Sequence, residues 1–452
     1  MSASQEQIQK MLGNKNNLQE LKSRIWFVVI ALIVFRLGSY IPVPGVNPKV
    51  LSQLLETQGG GLLDMFNMFS GGALGRFSLF ALGVMPYITT SIIIQILGHT
   101  VPKLKELKKE GESGRKKINQ YTRYFTVILA AFQGYAISFS LQQMGSSNGV
   151  AVVPNPGFGF LFPATVALTG GTMFLMWLGE QISERGIGNG ISLIIFAGIV
   201  VGLPAAIGST FSMVSEGNLN ALVALLLLVI ALGITYFVVF VERAQRRITI
   251  QYARRGGRTG TLAQSSYLPL KVNMSGVIPV IFASSLVLFP GTLAQFLGQK
   301  DGWGWLLDVS AWLSPGNVLY MIMFGGLIVW FAFFYTALTF DPNEISDNLK
   351  RSGAVVPGIR PGRHTADYID SVTTKVTFWG ALYLLGVSLM PQFILNIWQV
   401  PFALGGTSLL IVVVVAMDFM AQLQTHLMSG QYDSLLKKSN LKNYGKSGVQ
   451  RR

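Results

Sequence analysis

Long apolar runs alternate with short polar stretches along this chain, and ten runs approach bilayer length: residues 25–43, 77–97, 122–141, 159–178, 188–207, 222–241, 272–290, 318–340, 376–395 and 405–424. A membrane helix needs about 20 predominantly apolar residues. A soluble helix keeps a polar face, and these runs are apolar on every face. The pattern predicts an all-α polytopic membrane protein. Its most informative stretch is residues 172–200, TMFLMWLGEQISERGIGNGISLIIFAGIV. Two apolar runs are joined there by a hinge bearing Glu180, Glu184 and Arg185, which leads into Gly186-Ile187-Gly188-Asn189-Gly190. Small residues let helices approach closely. Ile191 and Ile195 share one helical face, and Val84 and Ile88 repeat the spacing. Such faces line a pore or simply pack in a core.

An even number of spans places both termini on one side. That side carries Lys10, Lys15, Lys22 and Arg24, then the basic run 103–123, then Arg243, Arg246, Arg247, Arg254, Arg255, Arg258 and Lys271. The other side offers only Lys49, Arg76 and Lys300. The positive-inside rule makes both termini cytoplasmic. The first 24 residues are polar and lead into a run of full membrane length, so no cleavable signal peptide is expected.

Three connections are too long for simple turns. Residues 42–76 contain LLDMFNM at 62–68, an amphipathic helix too short to cross a bilayer, followed by Phe69, Ser70, Gly71 and Gly72. It reads as an interfacial helix or a re-entrant one, the latter needing protein or water around it. Residues 242–271 cluster arginines, a composition suited to phosphate or acidic surfaces. Residues 341–371 hold Arg360 between Gly358-Ile359 and Pro361-Gly362, a rigid presenting turn.

Only 12% of the 452 residues are charged, whereas soluble domains carry about 25%. The net charge of +15 lies in loops between spans, which speaks for membrane orientation and against nucleic acid. The absence of cysteine excludes disulfides, thiolate metal sites and cysteine nucleophiles. His99, His364 and His426 lack metal-ligand spacing, there is no HExxH or Walker A pattern, and Gly186–Gly190 follows a charged hinge where a nucleotide loop would follow a strand. No enzyme activity, cofactor or metal is expected. Arg36 and Asp418 lie inside spans and read as boundary charges. The scarcity of mid-membrane acids counts against a secondary transporter of a small solute, the alternative function. Five spans followed by five of opposite orientation fit an inverted repeat.

Two signatures carry a resemblance, ALGVMPYITTSIIIQIL at 81–97 and the 172–200 stretch, supported by KKEGESGRKKINQYTRY and VVPGIRPGRHT. Over nearly its whole length the chain resembles the SecY family, channel-forming subunits of the bacterial protein translocase. The resemblance implies a clamshell of two five-helix halves, 25–207 and 222–424, with an external hinge loop at 208–221. Cytoplasmic segments 1–24 and 425–452 flank it. It implies a channel in the bacterial cytoplasmic membrane that passes unfolded secretory proteins across and releases hydrophobic segments laterally into the bilayer.

By the same resemblance Val84, Ile88, Ile191, Ile195, Ile278 and Ile411 form the pore ring, with valine at 84 where the family pattern has isoleucine. Leu62, Met65, Phe66, Met68, Phe69, Gly71 and Gly72 belong to a plug at about 62–76, with the glycines giving it freedom to move. Thr89, Gln95, Thr122 and Asn273 are polar groups of a lateral gate. Arg246, Arg247, Arg254, Arg255, Arg258 and Arg360 dock the ribosome or the motor ATPase SecA. The further partners implied are SecE, SecG, substrates with signal sequences, and membrane lipids.

Overall fold

Within lipid a backbone can satisfy its own N–H and C=O groups only as a helix or a closed barrel, and each apolar run contains a helix over most of its described length. The computed structural model describes residues 3–57, 62–143, 146–147, 150–217, 220–252, 265–297, 304–314, 316–398 and 406–444. The helices are α1 (Ala3–Gly38), α2 (Pro48–Thr57), α3 (Leu62–Phe69), α4 (Met85–Thr100), α5 (Pro102–Lys109), α6 (Glu112–Gln143), α7 (Phe158–Arg185) and α8 (Gly190–Ser215). They continue as α9 (Ala221–Arg243), α10 (Ile278–Leu297), α11 (Trp305–Trp312), α12 (Val318–Thr339), α13 (Pro342–Arg351), α14 (Arg363–Trp398) and α15 (Gly406–Tyr444). Among the described residues, seven helical stretches are long and apolar enough to cross a membrane, and Ile278–Gly291 is a shorter apolar one.

Helix ends depart from the apolar pattern, because apolarity records surroundings and not where helical bonding begins. The second run is helical only from Met85; residues 77–84 are turns, with Phe77 at φ 45° and Gly83 at φ 56°. The seventh run starts at Ile278, after a turn with Gly276 at φ 61°, and continues through Pro290 to Leu297. Interior proline is tolerated where neighbouring helices support the freed carbonyl. The polar segment 1–24 is not separate, since α1 runs unbroken from Ala3. The loop predicted at 208–221 is mostly helix, as α8 extends to Ser215. The tail from 425 continues α15 as far as Tyr444. Helix α2 was not foreseen, although Pro48 at its start and the spacing of Val50, Leu51, Leu54 and Leu55 mark it.

The basic connection 242–271 is also not a plain loop. Strands β1 (Ser146–Ser147) and β2 (Val150–Ala151) form a small pair elsewhere. Strands β3 (Gln245–Tyr252) and β4 (Ser265–Lys271) form an antiparallel hairpin with Ile248 opposite Leu268. Strand β5 (Ala354–Val355), from the connection 341–371, pairs with the C-terminal end of β3. The alternation Arg-Ile-Thr-Ile-Gln-Tyr carries the period-two signal. Buried Ile248, Leu270, Val356 and Ile369 give this sheet a core of its own.

In the first half α6 packs on α4 and α7, and in the second α12 packs on α10 and α14. Two seams join the halves: α10 against α4 and α6, and α15 against α1 and α8. One apolar cluster continues across both.

Candidate functional site

The six ring candidates come from four helices. Val84 caps the start of α4, with Ile88 one turn in; Ile191 and Ile195 lie in the first turns of α8; Ile278 opens α10, and Ile411 lies near the start of α15. All six join the same apolar cluster, with Ile411 fully buried and Ile191 and Ile278 half-buried at its edge. The glycine-rich signature positions α8. Asn189 Oδ1 accepts the Ile191 and Ser192 N–H groups, the capping role for which asparagine is favoured. A Cβ on Gly190 would lie 1.9 Å from the Gly179 carbonyl oxygen, so only glycine lets α7 and α8 meet there.

Helix α3 rests on α8 and α10, and Phe66 and Phe69 are buried in the ring's cluster with Met68 packed against it. The side chains of Leu62 and Met65 lie outside the described residues. After α3 the chain turns sharply. Asn67 Oδ1 accepts Gly75 N–H at 2.9 Å, and Asn67 O accepts Gly72 N–H at 2.8 Å. Gly71 and Gly72 have φ of 69° and 78°. That left-handed geometry is what glycine supplies here, so the pair forms a defined turn. Gly71 also meets α8 at Gly198: a Cβ on Gly198 would lie 3.0 Å from Phe69 O and 3.3 Å from Gly71 N. Gly198 was missed because glycine inside an apolar run has no distinctive pattern.

At the C-terminal end of α1 Arg36 does more than sit at a boundary. Its Nη1 donates to Gly71 O at 3.2 Å, and its Nη2 donates to Tyr40 Oη. Arg76 Nε donates to Gly72 O at 3.3 Å. The Arg36 and Arg76 guanidinium carbons lie 4.4 and 4.2 Å from the Tyr40 ring centroid.

Three of the four gate candidates bond within their own helices, the fourth, Asn273, reaches the end of α9, and none bonds to another. Thr89 Oγ1 donates to Met85 O, Thr122 Oγ1 to Ile118 O, and Gln95 Nε2 to Ser91 Oγ. Asn273 Nδ2 donates to Glu242 Oε1 at 2.6 Å and to Gly276 O at 3.0 Å, tying the end of α9 to the start of α10. Across the α4–α10 seam it is Ser285 Oγ that donates, to Met85 Sδ at 3.6 Å. Its sequence signal was only a serine pair within an apolar run. A cleft of about 220 Å³ adjoins Ile278, walled by Asn189, Ser192, Glu242, Lys271, Asn273 and Asp418.

Glu180 of the hinge is engaged with Arg123 through two bonds, 2.7 and 3.2 Å, linking α7 to α6. Among the described residues no group of three or more acids and histidines is placed to hold a metal.

Of the docking arginines, Arg246 and Arg247 lie exposed on β3, and Arg247 sits 4.8 Å over the Tyr267 ring. Arg360 is exposed in a turn held by Thr365 Oγ1 donating to Arg360 O and Ser346 Oγ donating to Gly362 O. Arg254, Arg255 and Arg258 fall outside the described residues.

A family model described as SecY matches residues 78–420. The protein translocase subunit SecY of Escherichia coli K12 is 59% identical over 433 residues, covering 96% of this chain and 97% of that protein. The subunit of the same name from Vibrio cholerae is 58% identical over 436 residues, with the same coverage. Among solved structures, one described as the structure of a protein conducting channel superposes with TM-score 0.67 at 18% identity, covering 91% of this chain and 93% of the other. Sec61 in a canine ribosome–channel complex gives TM-score 0.63 at 18% identity, with the same coverage. The family model over most of the chain and relatives of this identity establish that the chain belongs to the SecY family of protein translocase subunits.

Proposed function

We infer that this chain is the pore-forming subunit of a bacterial protein translocase, a multi-pass membrane protein that passes unfolded polypeptides across the bilayer and releases apolar segments sideways. The observation that carries the reading is the seating of α3 against α8 and α10, with Phe66 and Phe69 buried in the cluster that holds all six ring residues. A narrow apolar collar blocks ions by excluding water and widens around any extended chain without needing a particular side chain from it. Residues 62–72 are the plug over that collar. The α4–α10 seam is the lateral gate, where weak polar contacts suit a joint that must open.

The three-stranded sheet supports docking by both cytoplasmic connections as one platform, with Arg246, Arg247 and Arg360 facing a ribosome or SecA. SecE and SecG complete the complex, and both termini are cytoplasmic. The chain presents no nucleotide site of its own in this reading, so a partner motor or the ribosome drives movement.

The absence of cysteine gives a direct test. A single cysteine at Ile88 or Ile411 is offered to a stalled secretory polypeptide with its own cysteine, in the presence of SecA and ATP. Disulfides at the ring, with none at lipid-facing Leu226, are expected. No crosslink at either ring position, with insertion and partner activity intact, would point to a solute transporter of similar architecture.

A further inference from the structure

We propose that Tyr40 is a positioning residue for the plug, acting through Arg36 and Arg76 as an outer latch. The inference rests on the plug reading above, and it names the groups that hold the plug shut. Two carbonyls just beyond the C-terminal end of α3 are held by two arginines: Gly71 O by Arg36 Nη1 and Gly72 O by Arg76 Nε. A hydrogen bond from a charged guanidinium to a carbonyl is among the stronger ones a backbone can accept. The left-handed glycines turn the chain so that both carbonyls can meet the guanidiniums.

Two guanidiniums so close repel each other, and Tyr40 is the group that lets them coexist. Both guanidinium carbons lie within 4.4 Å of its ring centroid, and its hydroxyl accepts from Arg36 Nη2. An aromatic face attracts a cation through its quadrupole, even at exposed sites. Tyr40 is about half exposed and touches none of the plug's carbonyls itself, so it acts only through the arginines. The arrangement also spans the parts that must separate on opening. Arg36 belongs to α1, Tyr40 follows it, and Arg76 lies in the segment that leaves the plug.

Removing the ring leaves two unshielded like charges next to two carbonyls that need both. The expected result for Tyr40→Ala is about a tenfold rise in the displaced-plug population, equal to ~1.4 kcal/mol. Tyr40→Phe keeps the aromatic face and loses the hydroxyl bond, so it should fall between Tyr40→Ala and the unaltered chain.

The test uses the full chain with its partner subunits, reconstituted in vesicles. Met68→Cys reports plug position by its reaction with a membrane-impermeant maleimide from outside, and ion flux reports the seal. Faster labelling in Tyr40→Ala, a partial effect in Tyr40→Phe and a rise in flux support the latch. Faster labelling without a rise in flux supports the latch but removes the seal from the role of residues 62–72. Unchanged labelling in Tyr40→Ala overturns the latch, and a leak on deletion of 62–72 in the same assay shows that the plug reading survives without it.

Discussion

Gly198 offers the sharpest check on the seating of the plug. A Cβ there would lie 3.0 Å from Phe69 O, 3.3 Å from Gly71 N and 3.5 Å from Gly71 Cα. These are backbone atoms, so no side chain can swing away, and relief requires the turn after α3 to move. Gly202 lies one turn further along the same helix and has nothing within 4 Å of its Cβ position. Gly198→Val and Gly202→Val therefore share the same change in helix propensity but differ in contact with the plug. Overpacking of a close contact costs about 1–3 kcal/mol. Charged to the closed position alone, that raises the displaced population by about 5- to 150-fold. The assay is ion flux through reconstituted channels without substrate. Gly198→Val should leak and Gly202→Val should not. Equal flux in the two variants, or a sealed Gly198→Val channel, would refute the proposed packing of the turn on α8.

Asn273→Leu should lower the melting temperature in detergent, because it leaves the buried Glu242 carboxylate without its 2.6 Å donor, at a cost of about 1–3 kcal/mol. The Glu242→Leu and Asn273→Leu effects should be non-additive, and strict additivity would deny their bond. Ser285→Ala removes the hydroxyl that crosses the α4–α10 seam. It should shift fluorescence-measured gate opening by about threefold, the scale of ~0.6 kcal/mol that such membrane contacts average. Glu180→Gln breaks the pair with Arg123, whose side chain is 47% exposed. Screening keeps such a pair within about 1 kcal/mol, so transport should persist, and its abolition would favour an acid–base role. Val356→Asp places a charge in the small core under β3. Ribosome and SecA binding to vesicles should fall together, and loss of only one would show that the two connections dock separately.

The architecture was legible because membrane burial is written into composition. A run apolar on every face has no stable alternative to a spanning helix, so residues 159–178 and 222–241 could be assigned without knowing their neighbours. The short helix was legible from its amphipathic pattern: 62–68 was predicted, and α3 runs Leu62–Phe69. The ring was named by resemblance, since i, i+4 isoleucines look alike in a pore and in a core. Only the tertiary structure gathers all six side chains in one cluster. Helix starts at Met85 and Ile278 depend on positive-φ turns, which apolarity does not report. The β3–β5 pairing depends on two connections about a hundred residues apart meeting in space. The polar contacts that matter most are also remote in sequence: Arg36 with Gly71, Asn273 with Glu242, and Arg123 with Glu180 are separated by 35, 31 and 57 positions. Single residues announce their solvent preference through their own chemistry, but a hydrogen-bond partner is fixed by geometry, and geometry arises only when the helices pack.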